Sequence, residues 1–132
     1  MNKVEFGEEY QNIVRKALQC SNKARKEGLL SLEDSLLDHE KANTRDIFEY
    51  GMRFVVDGID AETIDEILSN IINQEKDEQL RILKNIQKQA VMGIQCGLNP
   101  RILYAILNSL TDISLNEDKM HKLLDESVIE IL

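Results

Sequence analysis

The sequence has few of the residues that mark strand-rich, disulfide-bonded or membrane-spanning proteins. It has no tryptophan, one proline and little valine or threonine, beside abundant isoleucine, leucine, glutamate and lysine, so it favours helices. Cys20 and Cys96 match no metal-binding spacing, and we interpret them as free thiols of a cytosolic protein. The first residues lack the apolar run of a signal peptide, and no apolar window approaches the roughly 18 residues of a membrane helix. We therefore expect a cytoplasmic protein without membrane insertion.

The charge and the missing motifs exclude several function classes. A net charge of −8 disfavours nucleic acid and anionic membrane surfaces as partners, but it allows a basic protein partner. There is no phosphate-binding glycine loop, no Ser/His/Asp order and no metal-ligand spacing. His39 and His121 lie in polar surroundings, where we expect them to be solvated. We therefore expect no enzyme activity, no cofactor and no metal.

One pattern, a helix–glycine–helix corner, occurs twice. Gly58 is followed by Ile59 and Asp60, and Gly97, 39 positions later, is followed by Leu98 and Asn99. In each copy glycine supplies the left-handed residue past a helix end, and the Asp or Asn caps the next helix. Pro100 follows at the first helical position, where its missing N–H costs nothing. The repeat predicts helical hairpins with an internal pseudo-repeat.

Apolar residues at helical spacing predict an all-α fold, a small bundle of about six to seven helices. Gly28 ends the first helix, and Ser31 with Asp34 forms a capping-box pattern that opens the second. The polar residues 73–79 indicate either a reversal or the exposed middle of one long helix, and we favour the reversal. The predicted helices are about 8–27, from 31, from Thr44 to Gly58, from Asp60 to 72, 80–94, 100–110 and from Ser114 to 132.

Two stretches resemble the flagellar stator subunit MotA. The first runs Ala24-Arg25-Lys26-Glu27-Gly28-Leu29-Leu30-Ser31-Leu32-Glu33, continues at Val55-Val56-Asp57-Gly58, and resembles the MotA cytoplasmic loop. The second, residues 90–101, contains Gly97-Leu98-Asn99-Pro100-Arg101 and resembles the Gly-x-Asn-Pro-Arg turn beyond the last MotA membrane helix. Together they cover about residues 15–112 in the family's order. The resemblance divides a single domain, 1–132, into a loop-like part (15–72), a post-membrane-like part (76–112) and an extra C-terminal helix (114–132).

The sequence departs from MotA where the family has its third and fourth membrane helices. The polar residues 73–78 stand there, and the family's ion-pathway residues have no counterpart in these 132 residues. We therefore expect no ion conduction. The sequence is compatible with a natural relative without the membrane helices and with a splice of two cytoplasmic pieces.

The resemblance also implies a contact site. In the family, charged loop residues push on the rotor switch protein FliG, and Arg25 and Glu33 fall on the loop's functional Arg and Glu. A purely local role is an alternative, because Arg25 near a helix C-terminus and Glu33 in a first turn each favour their own helix dipole. For Gly28, Gly58, Asp60, Gly97, Asn99 and Pro100 we expect a structural role at the corners.

Two functions remain in competition. The first is a module that contacts a flagellar rotor or switch component such as FliG. The second is a helical adaptor or homo-oligomeric scaffold that kept the fold without a motor role. The apolar face of residues 114–132 supports the second, because it must cover the hairpins or form a homodimer with a second chain.

Overall fold

The computed structural model describes residues 1–36 and 46–112 of the chain. These residues form five α-helices and one 3-10 helix, and within the described ranges there is no strand, so the predicted all-α fold is confirmed. The predicted helix from Ser114, and with it any homodimer contact there, lies outside the described residues, as does the predicted helix start at Thr44. In chain order the helices are α1 (Lys3–Glu27), the 3-10 helix (Leu29–Ser35), α2 (Ile47–Val56), α3 (Ala61–Ile72), α4 (Glu78–Gln95) and α5 (Pro100–Asn108).

The first helix begins five residues before the predicted Glu8, which corrects its N-terminal boundary. Asn2 caps it, because the Asn2 side-chain oxygen accepts from the Glu5 amide at 2.8 Å. The Asn2 amide in turn donates to the Glu5 carboxylate at 2.9 Å. These two hydrogen bonds cap the helix at Asn2. The apolar residues at helical spacing are clear only from Ile13 onward, so they do not indicate this earlier start.

The predicted second helix is short and has 3-10 geometry, so the capping-box prediction at Ser31 was wrong. The Ser31 hydroxyl does not accept from Asp34 but donates to the Gly28 carbonyl at 2.6 Å. The segment is held by one buried side chain, Leu32, which is 1% exposed. A segment of seven residues with one buried side chain is too short for many α-helical hydrogen bonds to form, and 3-10 turns are common in such connecting segments.

The two corners have the same hydrogen bonds and the same register. Gly58 and Gly97 have φ of 81° and 78°, the left-handed values that the repeat predicts. In the first corner (residues 57–60) the Ile59 amide donates to Phe54 and the Gly58 amide to Val55. In the second corner (residues 96–99) the Leu98 and Gly97 amides donate to Gly93 and Ile94 in the same way. Both are Schellman motifs, and Asp60 and Asn99 then cap α3 and α5.

The repeat continues into the core. The helix α4 packs against α1, α2, α3 and α5 and is therefore the central helix of the described bundle. Buried residues of the unit α2–α3 recur 39 positions later in the unit α4–α5. The first set is Ile47, Met52, Val55, Ile64 and Leu68, and the second is Ile86, Val91, Ile94, Leu103 and Leu107.

Between the two units the chain reverses, as we predicted from the polar residues. The helix α3 ends at Ile72 and α4 begins at Glu78 after the cap Asp77. The Arg81 guanidinium donates to the Glu75 carbonyl from Nε at 3.0 Å and from Nη2 at 2.8 Å. The Glu75 carboxylate pairs with Lys84 at 2.8 Å. Local side-chain bonds thus fix a tight tip.

Candidate partner-contact surface

The candidate surface begins where α1 ends. Gly28 has φ of 90°, and its amide donates to the Ala24 carbonyl at 2.8 Å, which closes the last turn of α1. The chain then leaves the axis of α1 and enters the 3-10 helix. A residue other than glycine is disfavoured at this φ. Gly28 therefore separates the two predicted contact residues onto two different elements.

Arg25 and Glu33 lie on either side of this break, and both are exposed. Arg25 is in the last turn of α1, and Glu33 follows the buried Leu32 in the 3-10 helix. Within residues 1–36 and 46–112, no salt bridge joins Arg25 to Glu33. Their charges are therefore not neutralised by each other, and both side chains are open to solvent. Their role as contact residues stays a prediction.

The structure brings Arg25 to the second corner, 72 residues away in sequence. The Arg25 Nη1 donates to the Gly97 carbonyl at 3.2 Å. One turn earlier in α1, the Ser21 hydroxyl donates to the Leu98 carbonyl at 3.1 Å. Ser21 is 1% exposed, so this bond satisfies a hydroxyl that would otherwise be buried without a partner. Arg25, one of the two predicted contact residues, therefore contacts the second corner, although the two motifs are far apart in the sequence.

The two corners are also linked to each other. The Gln95 side chain, at the end of α4, donates from Nε2 to the Ile59 carbonyl at 2.9 Å. Ile59 and Leu98 are equivalent positions of the repeat, and each presents its carbonyl to a side chain from a neighbouring helix. Sequence analysis missed Ser21 and Gln95. The available signal was weak: Ser21 precedes Arg25 by one helical turn, which places both on one face of α1.

Several charged side chains at the corners and along the bundle form hydrogen bonds or ion pairs with neighbouring residues. Hydrogen bonds from the Thr63 hydroxyl and amide hold the pKa of the Asp60 carboxylate below its usual value. Further along the bundle, Lys16 of α1 pairs with Glu49 of α2 at 2.6 Å, and Lys88 of α4 pairs with Asp65 of α3 at 2.8 Å. These ion pairs tie helices together, whereas within the described residues neither Arg25 nor Glu33 forms an ion pair.

The described residues offer little chemistry for catalysis. Burial raises the pKa of the Cys20 thiol to about 11, so this cysteine stays protonated and weakly nucleophilic. Cys20 and Cys96 are both free thiols. In the described ranges no three His, Cys, Asp or Glu side chains cluster in a way that holds a metal ion. His39 and His121 lie outside these ranges.

In residues 1–36 and 46–112, no helix combines the length and the apolar character that crossing a membrane requires. The described part is an all-α domain with two helix–corner–helix units, and the exposed Arg25 contacts the second corner. These features place the described part in the class of small all-α domains.

Comparison with known proteins identifies the relatives of this domain. The chain is 49% identical over 57 residues to Motility protein A of Borreliella burgdorferi. The matched residues make up 43% of the chain and 20% of that protein. The chain is 29% identical over 104 residues to Motility protein A of Treponema phagedenis, covering 77% of the chain and 39% of that protein. The predicted resemblance to the MotA family is therefore confirmed.

Both matches cover only part of the relative's length. The chain spans about a fifth of one relative's length and about two fifths of the other's. No family model matches the sequence. No solved structure matches it.

Proposed function

We propose that this chain is a non-enzymatic, cytoplasmic interaction module related to the flagellar stator, and that it contacts a component of the flagellar motor. The observation that carries the proposal is the similarity to Motility protein A over 77% of the chain. The matched relatives are named for motility, and no cluster of reactive or metal-binding groups in the described ranges favours an enzyme. The role of a stator relative requires contact with another motor protein.

We propose further that Arg25 and Glu33 form the contact, and that the partner is the rotor switch protein FliG or a protein like it. Both side chains are exposed, and they lie on two elements that meet at Gly28. A partner helix with one acidic and one basic side chain fits such a surface. Exposed contacts of this kind contribute about 0.2–1 kcal/mol each. They steer encounter more than they hold the complex.

The experiment is a titration of the full chain against the rotor switch protein at low and high salt. Wild type should bind weakly, and affinity should fall with salt, because screening acts over about 8 Å at physiological ionic strength. The variant tested is Glu33→Lys rather than a reversal at Arg25, because the Arg25 side chain bonds Gly97. The Glu33 side chain makes no hydrogen bond or ion pair within the described residues, so its reversal breaks no internal contact there. Glu33→Lys should weaken binding, and a reciprocal reversal on the partner should restore part of it.

Glu8→Lys is the matched control. Glu8 is also an exposed glutamate, and the reversal changes the net charge by the same amount. It lies 17 residues before Arg25 on the same helix, about 25 Å away. If wild type shows no binding at low salt, or if Glu8→Lys weakens binding as much as Glu33→Lys, the contact site is wrong. Arg25 and Glu33 then have only structural roles, which for Arg25 include its bond to the Gly97 carbonyl.

A further inference from the structure

The second corner contacts the proposed contact site directly. Ser21 and Arg25, one turn apart on α1, donate to the carbonyls of Leu98 and Gly97 at 3.1 and 3.2 Å. These carbonyls follow the end of α4 and have no partner within that helix. The first corner differs at the equivalent place. Within the described residues no side chain donates to the Gly58 carbonyl.

The bond to Gly97 uses one part of the Arg25 guanidinium and leaves the rest available. A guanidinium carries five N–H donors in a rigid plane, so fixing one nitrogen limits the direction of the others. The described residues supply no second hydrogen bond or ion pair to this guanidinium, and Arg25 is exposed. The remaining N–H groups match a carboxylate, which a guanidinium binds with two parallel hydrogen bonds.

We infer that the second corner is a positioning element of the contact site: the Gly97 carbonyl orients the Arg25 guanidinium toward a carboxylate of the partner. Ser21 holds the corner through Leu98 and is a positioning residue of the same device. The inference rests on the proposed function, because it assigns Arg25 a partner. It adds that recognition depends on a glycine outside the loop-like segment.

The two corners provide a matched pair of variants. Gly97→Ala and Gly58→Ala place a β-carbon at nearly the same φ, 78° and 81°, and neither β-carbon would have a neighbouring atom within 4 Å. Both therefore introduce the same local backbone strain without a clash. They differ in that Arg25 bonds only the corner at Gly97. Unfolding in urea checks that each variant is folded under the binding conditions.

Affinity for the rotor switch protein is measured for wild type and both variants at low salt. Gly97→Ala should weaken binding about two- to fivefold, the range of one exposed charged contact, while Gly58→Ala leaves it unchanged. Ser21→Ala should weaken binding in the same direction as Gly97→Ala. Equal effects of the two glycine variants, or no effect of Gly97→Ala, would overturn the inference.

A second measurement in the free protein separates this inference from the proposed function. The ¹⁵N relaxation of the Arg25 Nε–H group reports whether the guanidinium is held. Its order parameter should fall in Gly97→Ala and stay at the wild-type value in Gly58→Ala. An order parameter that is equal in all three proteins overturns the positioning role. Absence of binding by wild type overturns the proposed function instead.

Discussion

Substituting alanine at three glycines tests how the corners are built, because the same added methyl group should have opposite effects at different positions. Gly58 and Gly97 have positive φ, whereas Gly7 lies inside α1 without it. At none of the three would the new β-carbon have another atom within 4 Å. The three substitutions therefore do not differ in packing of the new methyl group. They differ in the backbone φ of the substituted residue.

The expected magnitudes follow from that conformation. A β-carbon at a left-handed residue costs about 1–2 kcal/mol, so Gly58→Ala and Gly97→Ala should each lower the free energy of unfolding by about 1 kcal/mol. At Gly7 alanine restores helix propensity, and the free energy of unfolding should rise by about 0.5–1 kcal/mol. A loss of 1 kcal/mol corresponds to a fall in Tm of roughly 4–8 °C for a folded unit of about 100 residues.

The assay is urea unfolding of the full chain followed by far-ultraviolet circular dichroism. The slope of the free energy against urea should be the same in all variants, since the surface exposed on unfolding does not change. The double variant Gly58→Ala/Gly97→Ala measures the coupling between the corners: a loss that differs from the sum of the two single losses gives the energy transmitted through the Gln95–Ile59 bond. A gain in stability at either corner, or a loss at Gly7 equal to that at the corners, would refute the reasoning.

Three further predictions test the caps, the core and the C-terminal residues. Because Thr63 lowers the pKa of Asp60, the stability that Asp60 contributes is present above its unfolded pKa of about 3.9 and is lost as the pH falls through the lowered folded pKa. The loss in free energy of unfolding caused by Asp60→Ala, measured by urea unfolding, should therefore be smaller at pH 3 than at pH 7. Asn99→Ala removes the equivalent uncharged cap, and its loss should not change with pH. Equal pH dependence of the two variants would contradict this. Leu103→Ala should cost about 2–5 kcal/mol because Leu103 is fully buried, whereas truncating its neighbour Ile102, 49% exposed, should stay within about 0.5 kcal/mol, and similar losses would contradict the packing described above. Deleting residues 114–132 should lower Tm or convert a dimer to a monomer in light scattering, and an unchanged Tm with an unchanged mass would count against a packing role for that segment.

The sequence by itself determined the features that depend on near neighbours. The left-handed glycines, the caps Asp60 and Asn99, and the reversal before α4 each rest on hydrogen bonds between residues no more than a few positions apart. Such bonds depend on residue type and spacing, which can be read directly. The 39-residue repeat follows for the same reason, since each copy carries its own local signals.

Local signals also explain the two errors in the predicted helices. At the N-terminus the Asn2 cap lies before the apolar stripe becomes clear, so the helix starts earlier than the stripe indicates. At Ser31 the serine and the acidic residue have capping-box spacing, but the hydroxyl bonds back to Gly28. The spacing alone does not distinguish these two bonds, because a serine hydroxyl can either accept or donate.

Only the tertiary structure decided how the predicted motifs meet. Arg25 bonds Gly97 across 72 residues, Ser21 bonds Leu98 across 77, and Gln95 bonds Ile59 across 36. A serine or glutamine can satisfy its side chain with water or with many neighbours, so its residue type does not specify a distant partner. Packing of α1 and α2 against the central α4 brings these donors to the corner carbonyls. The physical reason is that these long-range hydrogen bonds depend on how the helices pack in the core, whereas turns and caps depend on residues close together in the sequence.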